Sequence, residues 1–85
     1  MKVKVFSMKG CPHCDNLKNQ LKESNIDFIE LDVDEHEELY EKFSKKVNNE
    51  YLPAILIEKT AFLPDKSFQT INEAVELVKR HLQVL

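Results

Sequence analysis

Charged and apolar residues alternate from Lys2 to Ser7, with Val3 and Val5 set between lysines and Phe6 closing the run, which predicts a short strand. Met8-Lys9-Gly10 reads as a turn. After Cys11 and Pro12, Cys14, Leu17 and Leu21 recur at steps of three and four, the single apolar stripe of a helix that ends near Ser24-Asn25. Asp27 to Val33 predicts a second strand with Ile29, Leu31 and Val33 on one face. Leu39 and Phe43 then mark the buried stripe of a second helix, with Tyr40 and Val47 at its edges. Asp34 followed by Glu37 predicts a capping box at the start of that helix. Its acidic residues Glu35, Glu37 and Glu38 come early and Lys42, Lys45 and Lys46 late, an order that suits the helix dipole on a solvated face. Asn48-Asn49-Glu50 reads as a loop, and Tyr51-Leu52-Pro53 leads into the apolar run Ala54 to Ile57, a strand covered on both sides. Glu58-Lys59 turns the chain back into a strand over Thr60 to Leu63, which Pro64 ends. Thr70 and Glu73 predict a second capping box, and Ile71, Ala74, Val75, Val78 and Leu82 the stripe of a last helix.

The predicted order is β-α-β-α-β-β-α. Strands joined through a helix are expected to be parallel with a right-handed crossover, and strands joined by a tight turn antiparallel. The economical solution is an α/β fold: a four-stranded mixed sheet flanked by three helices. A chain of 85 residues has room for one domain, expected to span residues 1–85.

Composition narrows the function. The net charge of −3 argues against nucleic acid as the main partner, because phosphate binding needs a cationic footprint. No apolar run approaches a membrane span, and the N-terminal residues Met1 to Val5 lack the apolar core of a signal peptide, so a cytoplasmic protein is expected. It is expected to be a monomer. The two cysteines, Cys11 and Cys14, are separated by two residues, and a disulfide closing so small a loop contributes little chain-entropy stabilisation. The pair is therefore expected to matter through its chemistry.

That chemistry follows from where Cys11 falls, between a strand and a helix. The first N–H groups of a helix have no intrahelical partner and carry partial positive charge. A thiolate at Cys11 accepts them, so its pKa is expected below the ordinary 8.5 or so. Cys14 lies one turn deeper on the Leu17/Leu21 stripe, placed to attack a mixed disulfide formed at Cys11. Cys11 attacks and Cys14 resolves. Pro12 suits the first helical position, where a missing N–H costs nothing. His13 is either an exposed first-turn residue or an imidazolium that further favours the thiolate. Lys9 is either a solvated turn lysine or a contact for thiolate or anionic substrate. His36 and His81 read as surface residues on other helices. One cysteine pair without two further spaced ligands is a poor zinc site, so no metal site is expected.

The opening strand, Gly10-Cys11-Pro12-His13-Cys14, the βαβ unit and the Leu52-Pro53 step before a central strand together resemble the glutaredoxin family, within the thioredoxin-like superfamily. The resemblance implies a dithiol–disulfide oxidoreductase with no bound cofactor. It further implies reduction of protein disulfides or glutathione mixed disulfides, with glutathione as the expected reductant. It also implies that Pro53 is cis beside the disulfide, and that the backbone of Leu52, next to Tyr51, pairs with an extended substrate by strand addition. Histidine stands where glutaredoxins usually carry tyrosine, and Tyr51-Leu52 where they carry Thr-Val. In place of the family's Gly-Gly-Asp stands Phe62-Leu63-Pro64-Asp65-Lys66-Ser67, leaving Asp65 and Ser67 as the polar groups. Two alternatives stay open at this point. One is a small thioredoxin-like protein reduced by a flavin-dependent reductase; the other is a metal or iron–sulfur carrier that borrows further ligands.

Overall fold

A computed structural model describes residues 2–48 and 51–83. Met1, and Asn49 and Glu50 of the expected loop, lie outside the described residues. The elements run β1 (Val3–Ser7), α1 (Pro12–Glu23), β2 (Ile29–Asp32), α2 (Glu37–Val47), β3 (Ala54–Ile57), β4 (Thr60–Phe62) and α3 (Ile71–Gln83). The strands form one sheet in the order β2-β1-β3-β4. β1 and β2 are parallel, with Ser7 opposite Asp32, while β3 is antiparallel to both β1 and β4. The element order and the mixed, four-stranded thioredoxin-like architecture are those expected. Among the described residues no helix is long and apolar enough to cross a membrane.

The pleat divides the core in two. Val3, Val5, Ile55 and Ile57 point to one side and pack with Leu17 and Leu21 of α1 and Ala74, Val75 and Val78 of α3. Phe6 and Ala54, one residue out of phase, point to the other side and pack with Leu31, Phe43 and Leu63. β3 is interior to the sheet and helices cover both faces, which is why Ala54 to Ile57 is an unbroken apolar run. Fully burying a valine, leucine, isoleucine or phenylalanine side chain of this core stabilises the fold by roughly 1.5–3 kcal/mol.

Four local expectations are corrected. α2 starts at Glu37 with His36 at the N-cap position, and no side chain caps it. Asp34 does not form a capping box with Glu37, because Asp32 organises the turn instead. Its carboxylate accepts the Asp34 N–H at 2.8 Å, and its carbonyl accepts those of Glu35 and His36. The inward stripe of α2 is accordingly Tyr40, Phe43 and Val47, with the Phe6 ring stacked on Phe43 at 4.6 Å between centroids and tilted against Tyr40 at 5.6 Å. Leu39 faces out, 47% exposed. On β2, Leu31 is buried but Ile29 is 43% exposed: it sits opposite Lys4 on an edge strand and belongs to neither packed cluster. His81 is also less free than expected, half-buried with its ring edge-on to Phe62 at 5.8 Å.

The bends are made largely without glycine. Asn25, Asn48, Glu58 and Asp65 adopt positive φ between 53° and 64°. Asn25 follows α1, Asn48 ends α2, Glu58 turns β3 into β4, and Asp65 lies in the connection from β4 to α3. At the start of α3 the Thr70 hydroxyl accepts the Glu73 N–H at 3.1 Å, and the Glu73 carboxylate reaches back to the Gln69 N–H at 3.3 Å. The second capping box is thus present, displaced by one residue on its return leg.

Candidate functional site

The site begins with Gly10, whose φ of 78° turns the chain from β1 into α1. A Cβ there meets nothing within 4 Å, so the constraint on this position is backbone conformation rather than crowding. Cys11 follows as the N-cap residue in extended conformation, with Pro12 opening the helix. Its Sγ accepts the Cys14 N–H at 3.2 Å and its carbonyl accepts the Asp15 N–H at 3.1 Å. Cys11 and Cys14 are joined as a disulfide with Cα atoms 5.2 Å apart. Cys11 is half-buried, whereas Cys14 is fully enclosed with Leu17 and Leu21. One sulfur is reachable and carries a hydrogen-bond donor from the helix start; its neighbour waits inside.

Charged residues fasten the helix from the side. Lys18 of α1 pairs with Glu30 of β2 and lies 3.5 Å from Asp15. The buried Ser7 hydroxyl, at the end of β1, donates to the same Glu30 carboxylate at 3.2 Å. The hydrogen bond between them raises the Lys18 ammonium above its usual pKa and lowers the Glu30 carboxyl below its own. This cluster ties α1, β1 and β2 together next to the turn that carries Cys11.

On the opposite side of the helix start lies a groove of about 490 Å³. Three chain segments line it: His13 and Asn16 from α1, Tyr51-Leu52-Pro53 ahead of β3, and Pro64 to Asn72 in part from the β4–α3 connection and the start of α3. The Leu52-Pro53 peptide is cis, as the resemblance implied, and Pro53 is buried. Tyr51 is 65% exposed at the rim. Of the residues singled out from the sequence, His13, Tyr51, Leu52, Pro53 and Asp65 come together here. Pro12 sits beside them at the first helical position. Lys9 and Ser67 are exposed and outside the groove, and among the described residues neither Lys9 nor His13 makes a hydrogen bond or ion pair.

Sequence reasoning missed Asn16, Phe68, Gln69 and Asn72. The Thr70/Glu73 cap marks where α3 starts, but nothing local shows that this start shares a groove with His13 and Asn16 of α1. Among the described residues no group of three or more His, Cys, Asp or Glu side chains converges as a metal-ligand set.

The profile of the glutaredoxin family matches residues 3–62. N-acetyl-S-hydroxy-L-cysteine reductase of Bacillus subtilis (strain 168) is 34% identical over 55 residues, 65% of this chain and 59% of that protein. The chain spans little more than half the length of the curated relatives it matches. Among solved structures, the glutaredoxin-like NrdH-redoxin of Escherichia coli, whose activity profile is described as thioredoxin-like, superposes with a TM-score of 0.69 at 19% identity, over 85% of this chain and 92% of that one. Glutaredoxin 1 of Francisella tularensis, in complex with cacodylate, superposes with a TM-score of 0.66 at 22% identity, over 96% of both.

Proposed function

The chain belongs to the glutaredoxin family of thiol–disulfide oxidoreductases, and on that premise we propose that it acts as one domain, exchanging two electrons with disulfide substrates through Cys11 and Cys14. The observation that carries this reading is the half-buried Cys11 Sγ, held on the Cys14 N–H at a helix start, with the buried Cys14 sulfur in bonding reach.

In the reduced protein the Cys11 thiolate attacks one sulfur of the substrate disulfide. That S–S bond breaks, a mixed disulfide forms, and the departing thiolate takes a proton. Cys14 then loses its proton and attacks Cys11 Sγ, releasing the second substrate thiol. The substrate gains two electrons and two protons, and the protein becomes the Cys11–Cys14 disulfide. Because both electrons reside on the two sulfurs, no prosthetic group is required. The roles of Pro12 in fixing the helix start, of His13 and Lys9 beside Cys11, and of Tyr51, Leu52 and Asp65 in seating substrate all belong to this proposal.

Regeneration requires a thiol donor. Glutathione is the family's ordinary reductant, and a flavin-dependent reductase is the second reading. The second is favoured by the stretch Phe62 to Ser67, which stands where glutaredoxins carry Gly-Gly-Asp: it holds no glycine, so the close backbone approach that glycines permit is lost, and its Pro64 and Asp65 line the groove. The reductase of B. subtilis suggests a further substrate type, since an S-hydroxy thiol and a disulfide both offer an electrophilic divalent sulfur. Two coupled assays test the proposal: reduction of a glutathione mixed disulfide with glutathione and its reductase, and insulin reduction driven by dithiothreitol. Turnover in either supports exchange, and turnover in the second alone supports the flavoprotein reading. Inactivity in both overturns the proposal.

A further inference from the structure

The groove beside the disulfide has an unusual electrostatic lining. None of its residues is lysine or arginine, and its one carboxylate is Asp65. The backbone of Asp65 is pinned: its N–H donates to the Phe68 carbonyl at 2.8 Å, and its own carbonyl accepts from the Gln69 amide at 3.3 Å. Its exposed side chain makes no ion pair or hydrogen bond among the described residues. The adjacent Lys66 makes no ion pair with it among the described residues: its ammonium donates to the Val47 and Asn48 carbonyls at 3.3 and 3.0 Å, at the C-terminal end of α2. Lys45 and Lys66 do line a neighbouring groove that shares Asp65, Tyr51 and Pro64 with this one.

The same end of the molecule is acidic on its other flank. Because β1 and β2 are parallel and Ser7 lies opposite Asp32, the turn leaving β2 rises beside the turn that carries Cys11. That turn and the first residues of α2 bring Asp34, Glu35, Glu37 and Glu38 to the surface, all exposed. Against them stand the exposed Lys9 and Lys42. A disulfide approaching Cys11 therefore meets a carboxylate on a pinned backbone in the groove and a carboxylate-rich edge at the β2–α2 turn.

We propose that Asp65 is a specificity-determining residue, and that the substrate is a polypeptide disulfide carrying a basic side chain next to the reacting cysteine. Anionic small disulfides such as that of glutathione are disfavoured. This rests on the exchange reading above and names the substrate class for it. The uncharged part of the groove, with the partly exposed Leu52 and Ile71, receives the neighbouring side chains of such a segment. Asp65 receives its cation.

The test is a single-turnover reaction, in which the reduced protein itself supplies the two electrons. Two synthetic peptides are compared, one with lysine and one with glutamate on both sides of a cysteine, each as its mixed disulfide with 2-mercaptoethanol. Rapid acid quench and chromatography give the rate constants. The expected lysine-to-glutamate rate ratio is about tenfold at low ionic strength. It should fall towards one in about 1 M salt, where the Debye length is about 3 Å. Asp65→Asn, which tolerates the positive φ, should cut the low-salt ratio to about a third, and Asp65→Lys should bring it below one.

A wild-type ratio within about twofold of one overturns the proposal. So does a clear ratio that Asp65→Asn leaves unmoved, which would assign the preference to the α2 edge. Bis(2-hydroxyethyl) disulfide, which is neutral, separates this inference from its premise. If the reduced wild-type protein fails to react with it and with both peptides, exchange itself is overturned. If it reacts but the peptides are not discriminated, only the charge selection is lost.

Discussion

The Cys14 amide donates to Cys11 Sγ at 3.2 Å while the two sulfurs are bonded to each other. On reduction the same donor is available to a thiolate, which accepts it more strongly than a divalent sulfur does. The Cys11 thiol should therefore ionise below the ordinary 8.5 or so. Thiolate absorbance of the fully reduced protein, followed against pH, should give a midpoint at least about one pH unit lower. An unshifted midpoint removes the basis for assigning attack to Cys11.

Burial assigns the second role. Cys14 is fully buried whereas Cys11 is half-buried, so an external disulfide reaches Cys11 first. Cys11→Ser should abolish exchange, whereas Cys14→Ser should retain attack and accumulate a stable mixed disulfide. Mass spectrometry of each variant after incubation with a peptide disulfide checks this. Adducts at Cys14 in the Cys11→Ser protein, formed as fast as those at Cys11 in the other variant, would reverse the roles.

The corrected face of α2 has an energetic signature. Phe43 stacks on Phe6 and closes the core beneath α2, so Phe43→Ala should cost about 3–5 kcal/mol of unfolding free energy. Leu39, nearly half exposed, should cost about 0.5 kcal/mol or less when changed to alanine. Urea denaturation of the two variants separates them. Equal losses would restore Leu39 to the buried stripe.

The Lys18–Glu30 pair predicts how stability follows pH. Glu30 ionises at a lower pH in the folded chain than in the unfolded one, so its contribution is complete above its unfolded pKa and is lost as pH falls through the folded value. Lys18 is raised, so its contribution is complete below its unfolded pKa and is lost as pH rises through the folded value. Between the two lies a plateau. With Glu30 partly exposed, Glu30→Gln should remove no more than about 1 kcal/mol on that plateau, and nothing at a pH below the folded Glu30 pKa. Denaturation midpoints across pH test this. A variant that loses as much in acid as at neutrality would mean that the loss does not come from the charge of Glu30.

How much of this was legible in the chain depended on how local each cause is. Pro12 after Cys11, with Leu17 and Leu21 at helical steps, is enough to start α1 and to place one sulfur at the surface and the other inside. The unbroken run Ala54 to Ile57 likewise announces an interior strand. The entrance to α2 was misread because Asp34 and Glu37 satisfy a capping rule that Asp32, two residues earlier, pre-empts by folding the turn onto its own carboxylate. That shift decides whether Leu39 or Tyr40 faces Phe6. Ile29 was misread for a different reason: alternation tells which residues share a face, but not whether a helix covers that face along its whole length. The groove was half legible. His13, Leu52 and Asp65 carry separate cues, yet their convergence is a product of the sheet order, which sets β3 beside β1 and brings the β4–α3 connection back to the disulfide.

The bend at Glu58 has a practical consequence. A side chain with a Cβ occupies a left-handed backbone conformation there, which is costly for an ordinary L-residue and nearly free for glycine. Glu58→Gly should therefore relieve backbone strain at the tip of the β3–β4 hairpin, set against the extra freedom that glycine gives the unfolded chain. Thermal denaturation of the two proteins reads the balance.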